Sequence, residues 1–432
     1  MKTLSWNQLG ASERRAALAR PEQRSDPALR QAVKDIVEDV RRRGWAGAAD
    51  QALRIDGAVP RLVEVGPEAA AARRALSVEQ LAAIELAAAN IRAFNEGSFP
   101  SAHEVETRPG LIVRKEWRAL ERIGIYVPGG ATPLFSTLLM LALPARAAGV
   151  DDIVTVTPPR PDGGLDPLIA LAAELCGIES IWTIGGAQAI AALAFGSGDI
   201  PAVAKICGPG NIWVAEAKNY VASLPGGPAI DMPAGPSELM VVADNYADPA
   251  TVASDLLSQA EHDPSAQVLL VTTSPAFADL LPEAIDRQLA SLPRRAIAEA
   301  ALRQGRIIIA ADLKEAVDIV NLYAPEHLSL AVADPGALVP LVRNAGAVFA
   351  GGSAAETFGD YLAGSSHVLP TDGAARAWSG VSVDTFLRSM TIQTVSAEAA
   401  RQLAVPAAAL ARLEGLEAHA RAADARLQAV GR

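Results

Sequence analysis

Two doubly wound α/β domains, each on a mostly parallel sheet and flanked by a helical N-terminal segment and a helical C-terminal tail, are predicted by three observations. From residue 123 onward the chain repeats a unit of apolar strand, glycine turn and apolar helix. A proline-rich crossing at Ile230 to Glu238 separates two such series. Before residue 123 and after residue 375 the pattern becomes helical instead. The chain therefore divides into a helical segment with a connecting strand (1–122), partly packed on the second α/β domain, then α/β domains at 123–236 and 237–375, then the tail (376–432).

In the first segment, Asp26-Pro27 supplies an N-cap and a first-turn proline, and Val33, Ile36, Val37 and Val40 fall on one helical face. Ser77-Val78-Glu79-Gln80 is a capping box that opens a second amphipathic helix with Leu81, Ile84 and Ile91 inward. His103 sits in a polar connector, and Leu111 to Arg114 reads as a strand. The first α/β series then places strands at Ile123 to Val127, Ile153 to Thr157, Ile181 to Ile184 and from Lys205, with helices around Leu134 to Ala148 and Asp166 to Cys176. Strands of the second series fall at Leu239 to Ala243, Gln267 to Thr272, Arg306 to Ala310 and Gly346 to Ala350, with an opening helix at Pro249 to Ala260. The tail is helical from about Pro406 to Val430.

Composition narrows the function. A net charge of -11, with no long run of Lys or Arg, argues against a nucleic-acid partner. The longest apolar run, Leu134 to Leu143, is too short to span a bilayer, so no membrane role is expected. The polar start does not resemble a secretory signal, and two cysteines in unlike contexts fit a reducing, cytoplasmic setting. Half of the 432 residues are apolar, enough for a sizeable core.

With five histidines in the chain, each can be asked what it does. Gln259 and His262 are three residues apart, about 300° of helical rotation, so they share a face and could hold one metal ion. The plain alternative is that His262 caps a helix C-terminus. In Pro325-Glu326-His327, an acid and a base sit side by side behind a proline; neighbours in a strand or turn point apart, so they would serve two different atoms. A surface Glu-His pair is the alternative. Ser353 to Glu356 reads as a capping box whose short helix presents Asp360 one turn later, and His367 follows on a mobile Gly-Ser loop suited to substrate contact, or is simply a hydrogen-bonded loop histidine. Glu414 and His419 differ by about 140° of rotation and could flank one ligand. Gln259, His262, Asp360 and His419 make a nitrogen-and-oxygen donor set that suits Zn²⁺, although spacing does not bring them together.

The turns Pro128-Gly129-Gly130, Gly185-Gly186 and Gly208-Pro209-Gly210 let backbone amides approach phosphate at helix N-termini, which suggests a dinucleotide. None completes G-x-G-x-x-G, because Trp213 stands where the third glycine would be, so the domains are Rossmann-like but incomplete. Ligands of such sheets are expected at the strand C-termini. Cys207, beside a glycine turn, could serve as a thiol nucleophile, but its only adjoining cation is Lys205.

The ordered motifs resemble the histidinol dehydrogenase family over nearly the whole chain. The resemblance rests on Ile123 to Gly130, Gly185-Gly186-Ala187-Gln188, Gly208-Pro209-Gly210-Asn211, Asp231 to Glu238, Ser258 to His262, Pro325-Glu326-His327, Gly359-Asp360 through Pro370, and Glu414 with His419. It implies one Zn²⁺ per subunit bound by Gln259, His262, Asp360 and His419, the last donated by the other subunit of a homodimer. It also implies NAD⁺ contacts from Tyr126, Gln188 and Asn211. Substrate contacts would come from Ser237, Gln259, His262, His327, Asp360, His367, Glu414 and His419. The implied reaction is the oxidation of L-histidinol to L-histidine through L-histidinaldehyde, with Glu326 and His327 as proton acceptors. A related zinc- and NAD-dependent dehydrogenase of another small alcohol, such as a sulfonated diol, is the alternative, and Glu414 favours a cationic substrate. A zinc hydrolase or a silent binding protein would keep the fold without a need for NAD.

Overall fold

A computed structural model describes residues 1–20, 27–129, 133–232 and 235–428. Asp26, Gly130 and Val430, which figure in the expectations above, lie outside the described residues. The first six-stranded sheet runs in the order β2 (Leu62–Glu64), β7 (Ser180–Thr183), β6 (Asp152–Thr157), β5 (Arg122–Tyr126), β8 (Lys205–Cys207), β9 (Ala229–Ile230). Only its edge pair, β2 with β7, is antiparallel. The second sheet is parallel throughout, in the order β1 (Lys2–Ser5), β12 (Arg306–Ile309), β11 (Gln267–Thr272), β10 (Glu238–Ala243), β13 (His327–Ala331), β14 (Ala347–Ala350).

Continuous apolar runs make these strands because both faces of each sheet are covered. In β10, Leu239, Val241 and Ala243 enter one core and Met240 and Val242 the other, all fully buried. In β5, Ile123 and Ile125 pack on one side and Tyr126 on the opposite side. The helix Pro27–Arg43 buries the expected stripe of Val33, Ile36, Val37 and Val40 in the same core as the helix Gly186–Phe195. The capping box at Ser77 forms as read, opening the helix Val78–Gly97.

Three expectations need correction. His103 is not in a connector but opens β3 (His103–Arg108), which pairs with β4 (Leu111–Ala119), itself paired with β15 (Leu387–Val395) in an antiparallel sheet. β3 is exposed along its length and β15 along most of it, so neither carries the alternating pattern of a half-buried strand. The tail helix begins earlier than expected, as Ala397–Leu413 with Pro406 inside it, and a second helix, Glu417–Gln428, follows. Ser353 does not cap a helix: Glu356–Tyr361 starts behind Ala355 with no side-chain cap.

Each parallel sheet reverses its strand order once, between β5 and β8 in the first and between β10 and β13 in the second. The first reversal faces its site with strand C-termini, as Gly208 and Pro209 follow β8. The second does the opposite. Ser237 and Glu238 open β10, and Glu326 and His327 open β13, so the side chains of interest lie at strand N-termini.

Candidate active site

The helix Leu313–Tyr323 ends at Ala324, whose left-handed backbone (φ 57°) turns the chain through Pro325 into β13. That turn buries Glu326 and His327 at the floor of a pocket of about 200 Å³ between the two sheets. Glu326 Oε2 accepts the backbone N–H of Glu238 at 2.7 Å. His327 Nδ1 lies 3.1 Å from the Glu238 carbonyl, and because a carbonyl only accepts, that contact is a hydrogen bond when Nδ1 carries the proton. The two side chains do not diverge as expected from adjacent positions, since the Glu326 carboxylate folds back to 3.5 Å from Nδ1. Phe349 stacks on the imidazole at 5.9 Å between ring centres.

The opposite ring nitrogen, Nε2, is buried without a hydrogen bond and lies 3.5 Å from Asp360 Oδ1. Burial alone would lower the His327 pKa, but Glu326, Asp360 and Glu356 together raise it well above the usual histidine range. Burial works to raise the Asp360 pKa, yet the hydrogen bond and charge of His327, with the neighbouring His367 and His262, hold it below the usual range. His367 is not mobile: Nδ1 bonds the Asp360 carbonyl at 2.9 Å and Nε2 lies 3.3 Å from Thr137 Oγ1. Burial lowers its pKa. Ser237 and His262 line the same pocket.

Gln259, three residues before His262 of the pocket wall, is fully buried, and neither its amide oxygen nor its nitrogen has a partner. A buried amide left unpaired is costly, and a cation at the oxygen would satisfy it. With His262 and Asp360 this gives nitrogen and oxygen donors of the kind zinc takes. His419 and Glu414 are exposed on the tail and are not in the pocket of their own chain. Among the described residues, no three His, Cys, Asp or Glu side chains converge as a metal centre within one chain.

A larger cleft of about 730 Å³ lies on the first domain, with Gly186, Gln188, Asn211 and Trp213 on one wall and the helices carrying Ile36 and Arg54 on the other. The glycine turns do not offer their amides as expected. Asp56 accepts from Gly185 N and from Gln188 Nε2, both at 3.0 Å, and Tyr126 Oη accepts from Gly186 N at 3.3 Å. Asp231 takes the Gly208 amide, and Asn211 caps Trp213 and Val214. Gln188 Oε1, buried with no partner, is the acceptor left for a ligand's donor. Tyr126 is buried behind the turn, and burial pushes its pKa up to about 12. The turn from Gly208 joins the two sites, since Pro209 lines the inter-sheet pocket and Asn211 the cleft.

Three acids, of which Glu356 and Glu238 are buried and Asp56 is partly buried, carry no role in the sequence reading. Glu356 lies 3.6 Å from His327 Nδ1 and within 3.3 Å of Ser258 Oγ, and burial raises its pKa to about 8. Its i, i+4 spacing to Asp360 on one short helix was the available signal. Asp56 and Glu238 lie far in sequence from the residues they hold, and no local pattern marks them. Cys207 is fully buried, and burial, reinforced by Asp231, pushes its thiol pKa well up, which argues against a nucleophile.

The family model described as Histidinol dehydrogenase matches residues 18–427. Histidinol dehydrogenase of Xanthomonas campestris pv. campestris (strain ATCC 33913) is 47% identical over 428 residues, covering 99% of each chain. That of Xylella fastidiosa (strain 9a5c) is 46% identical over 431 residues, covering 100% of each. The crystal structure of histidinol dehydrogenase from Elizabethkingia anophelis superposes with a TM-score of 0.95 at 39% identity, covering 100% of this chain and 99% of that one. Fold, site and full-length similarity together place this chain in the histidinol dehydrogenase family, as an oxidoreductase of histidine biosynthesis that acts on alcohol and aldehyde groups.

Proposed function

We propose that the chain oxidises L-histidinol twice, through L-histidinaldehyde to L-histidine, with NAD⁺ as acceptor and Zn²⁺ in the pocket. The observation that carries this reading is the buried Glu326-His327 pair, which presents two proton acceptors to one pocket beside the unpaired amide of Gln259. Gln188, Asn211 and the turn that Tyr126 supports would hold NAD⁺, which would accept the hydride of each oxidation. Gln259, His262, Asp360 and His419 of a second subunit would hold Zn²⁺, which would supply a fixed positive charge to orient substrate donors. A cation held at Asp360 would engage one of the carboxylates that raise the His327 pKa and would favour the basic imidazole.

In the first oxidation, His327 Nε2 takes the hydroxyl proton as hydride leaves the carbon. In the second, Glu326 takes a proton from water as it adds to the aldehyde. Ser237 and His367 border the substrate from the pocket wall, and Glu414 pairs with its cationic end from the tail of the other subunit. Support for tail exchange is that Glu414 and His419 are exposed, beside exposed Leu410 and Leu413 that a single chain leaves uncovered. On this reading the enzyme is a homodimer. Two unpaired buried thiols support a cytoplasmic setting. We further divide the chain at 1–122, 123–236, 237–375 and 376–432.

The test is NADH formed per L-histidinol consumed, before and after chelation and return of zinc. A ratio of two, lost on chelation and restored by zinc, is expected from two oxidations at one site. No NADH from histidinol, with turnover of another alcohol, would sink the substrate assignment. Mixing inactive His262→Ala and His419→Ala chains tests exchange, since shared sites predict partial recovery and sites within one chain predict none.

A further inference from the structure

Arg20, just beyond the helix Ala11–Ala17, reaches across to the first residue of β10. Its Nε and Nη2 donate to the two Glu238 carboxylate oxygens at 2.5 and 2.8 Å, and its guanidinium lies 3.8 Å from the centre of the Tyr323 ring. Nη2 also donates to the carbonyls of Tyr323 and Ala324 at 3.0 and 3.2 Å. On its other side Glu238 Oε1 accepts the Asp372 N–H at 2.9 Å. Among the described residues, Ala324 and Asp372 are the non-glycine positions with positive φ, and this one ion pair holds both. Such conformations persist where the surroundings over-determine them, and they cluster at functional sites.

The main chain of Glu238 is also what touches the two acid-base groups. Its N–H donates to Glu326 Oε2 and its carbonyl faces His327 Nδ1. The carbonyl contact keeps the proton on Nδ1 and leaves Nε2 as the basic nitrogen. Glu238 is 2% exposed, so the Arg20 pairing is what compensates its charge there.

We propose that Arg20 and Glu238 are positioning residues for the oxidation: by fixing the first residue of β10 and the left-handed turn at Ala324, the pair sets where Glu326 points and which nitrogen of His327 is basic. This rests on the reading of Glu326 and His327 as proton acceptors.

The test compares Arg20→Met, Arg20→Lys and Glu238→Gln with Glu326→Gln, each as full-length, zinc-loaded enzyme. Arg20→Met is expected to lower kcat about 10–100-fold, the usual range for groups that orient a reacting side chain, with KM for NAD⁺ little changed. Free guanidinium should restore much of that loss. Arg20→Lys should stay impaired, because an ammonium cannot make the forked contact. Adding Glu238→Gln to Arg20→Met should cost little more, because the two act as a unit. Should Arg20→Met fold poorly, Glu238→Gln keeps the side-chain shape and an oxygen for the Asp372 N–H, and its kcat per folded molecule must itself fall. A wild-type kcat in Arg20→Met or in stable Glu238→Gln, while Glu326→Gln is crippled, overturns the positioning role alone. Loss of kcat in Arg20→Met only in proportion to unfolded protein, with no response to guanidinium, overturns it too. An unimpaired Glu326→Gln removes the underlying assignment and the proposal with it.

Discussion

Lys218→Met tests what holds the cofactor-side turn in place. Lys218 Nζ pairs with Asp231 Oδ1 and donates to the Gly208 carbonyl at 2.9 Å, while Asp231 Oδ2 accepts the Gly208 amide at 2.7 Å. Both side chains are at most 5% exposed. Methionine nearly matches the lysine stem in length, so packing is largely kept and the main loss is electrostatic. Removing one member of a buried pair leaves the other charge uncompensated, at a cost of about 3–5 kcal/mol. The freed Gly208 carbonyl adds about 1 kcal/mol.

The assay is urea unfolding at fixed protein concentration, followed by tryptophan fluorescence, for Lys218→Met, Asp231→Asn and the double variant. The double variant should be more stable than the sum of the single losses predicts, because no unpaired charge remains. Gly208 adopts φ 125°, and a Cβ there would fall 2.0 Å from the Tyr126 carbonyl, so the turn has little room to re-form differently. KM for NAD⁺ should therefore rise in Lys218→Met even where the protein stays folded. A single variant within about 1 kcal/mol of the parent would refute the reasoning, since it would mean that water already reaches the pair.

Three other outcomes are expected. Cys207→Ser should keep kcat, because a fully buried thiol whose pKa is pushed well up supplies no thiolate; a loss beyond about tenfold in folded protein would restore the thiol mechanism. Gly359→Ala should destabilise by about 1–3 kcal/mol and lower kcat, because the new methyl would fall 2.4 Å from the Phe349 ring that stacks on His327; unchanged kcat would show that the ring does not steady the imidazole. Asp255, half-buried and raised to about 6 by burial, is an acid whose folded pKa exceeds its unfolded value of about 3.9. The folded state therefore binds more protons between those values, stability falls as pH rises from about 4 to 6, and Asp255→Asn should be more stable than the parent at pH 7 but not at pH 3.

What the sequence disclosed follows from where burial is two-sided. The strand Gln267–Thr272 and the helix Pro249–Ala260 match their expected bounds, because continuous apolar runs and a first-turn proline are local signals. β2 and β9 span three and two residues at sheet edges, too short for any periodic signature. β13 carries no separate strand signal, because its first residues, behind Pro325, read as chemistry instead of as strand. Glu326, His327, Asp360, His262 and Ser237 were named in advance and meet in one pocket, yet the spacing alone could not join them. Arg20 and Glu238, 218 positions apart, left no trace in any window of sequence.

The opposed use of the two sheets explains why two ion pairs, one at each site, hold the two ends of one segment. The first sheet offers strand C-termini to the inter-sheet pocket and the second offers strand N-termini, so the chain enters it from opposite directions. The chain leaves β9 at one wall of the pocket, where Asp231 and Met232 lie, and begins β10 at the other, where Gly235 and Ser237 lie. Asp231 anchors the start of this crossing to the Gly208 turn, and Glu238 anchors its end to Arg20 and to both proton acceptors. The crossing is thus tied at each end to a buried ion pair, one on the cofactor side and one on the base side. A slip at either end moves the segment that carries Ser237, which is why Lys218 and Arg20 variants should differ in kind. The first should act mainly through KM for NAD⁺ and the second mainly through kcat; the same KM and kcat response from both would mean that the crossing moves as one rigid piece.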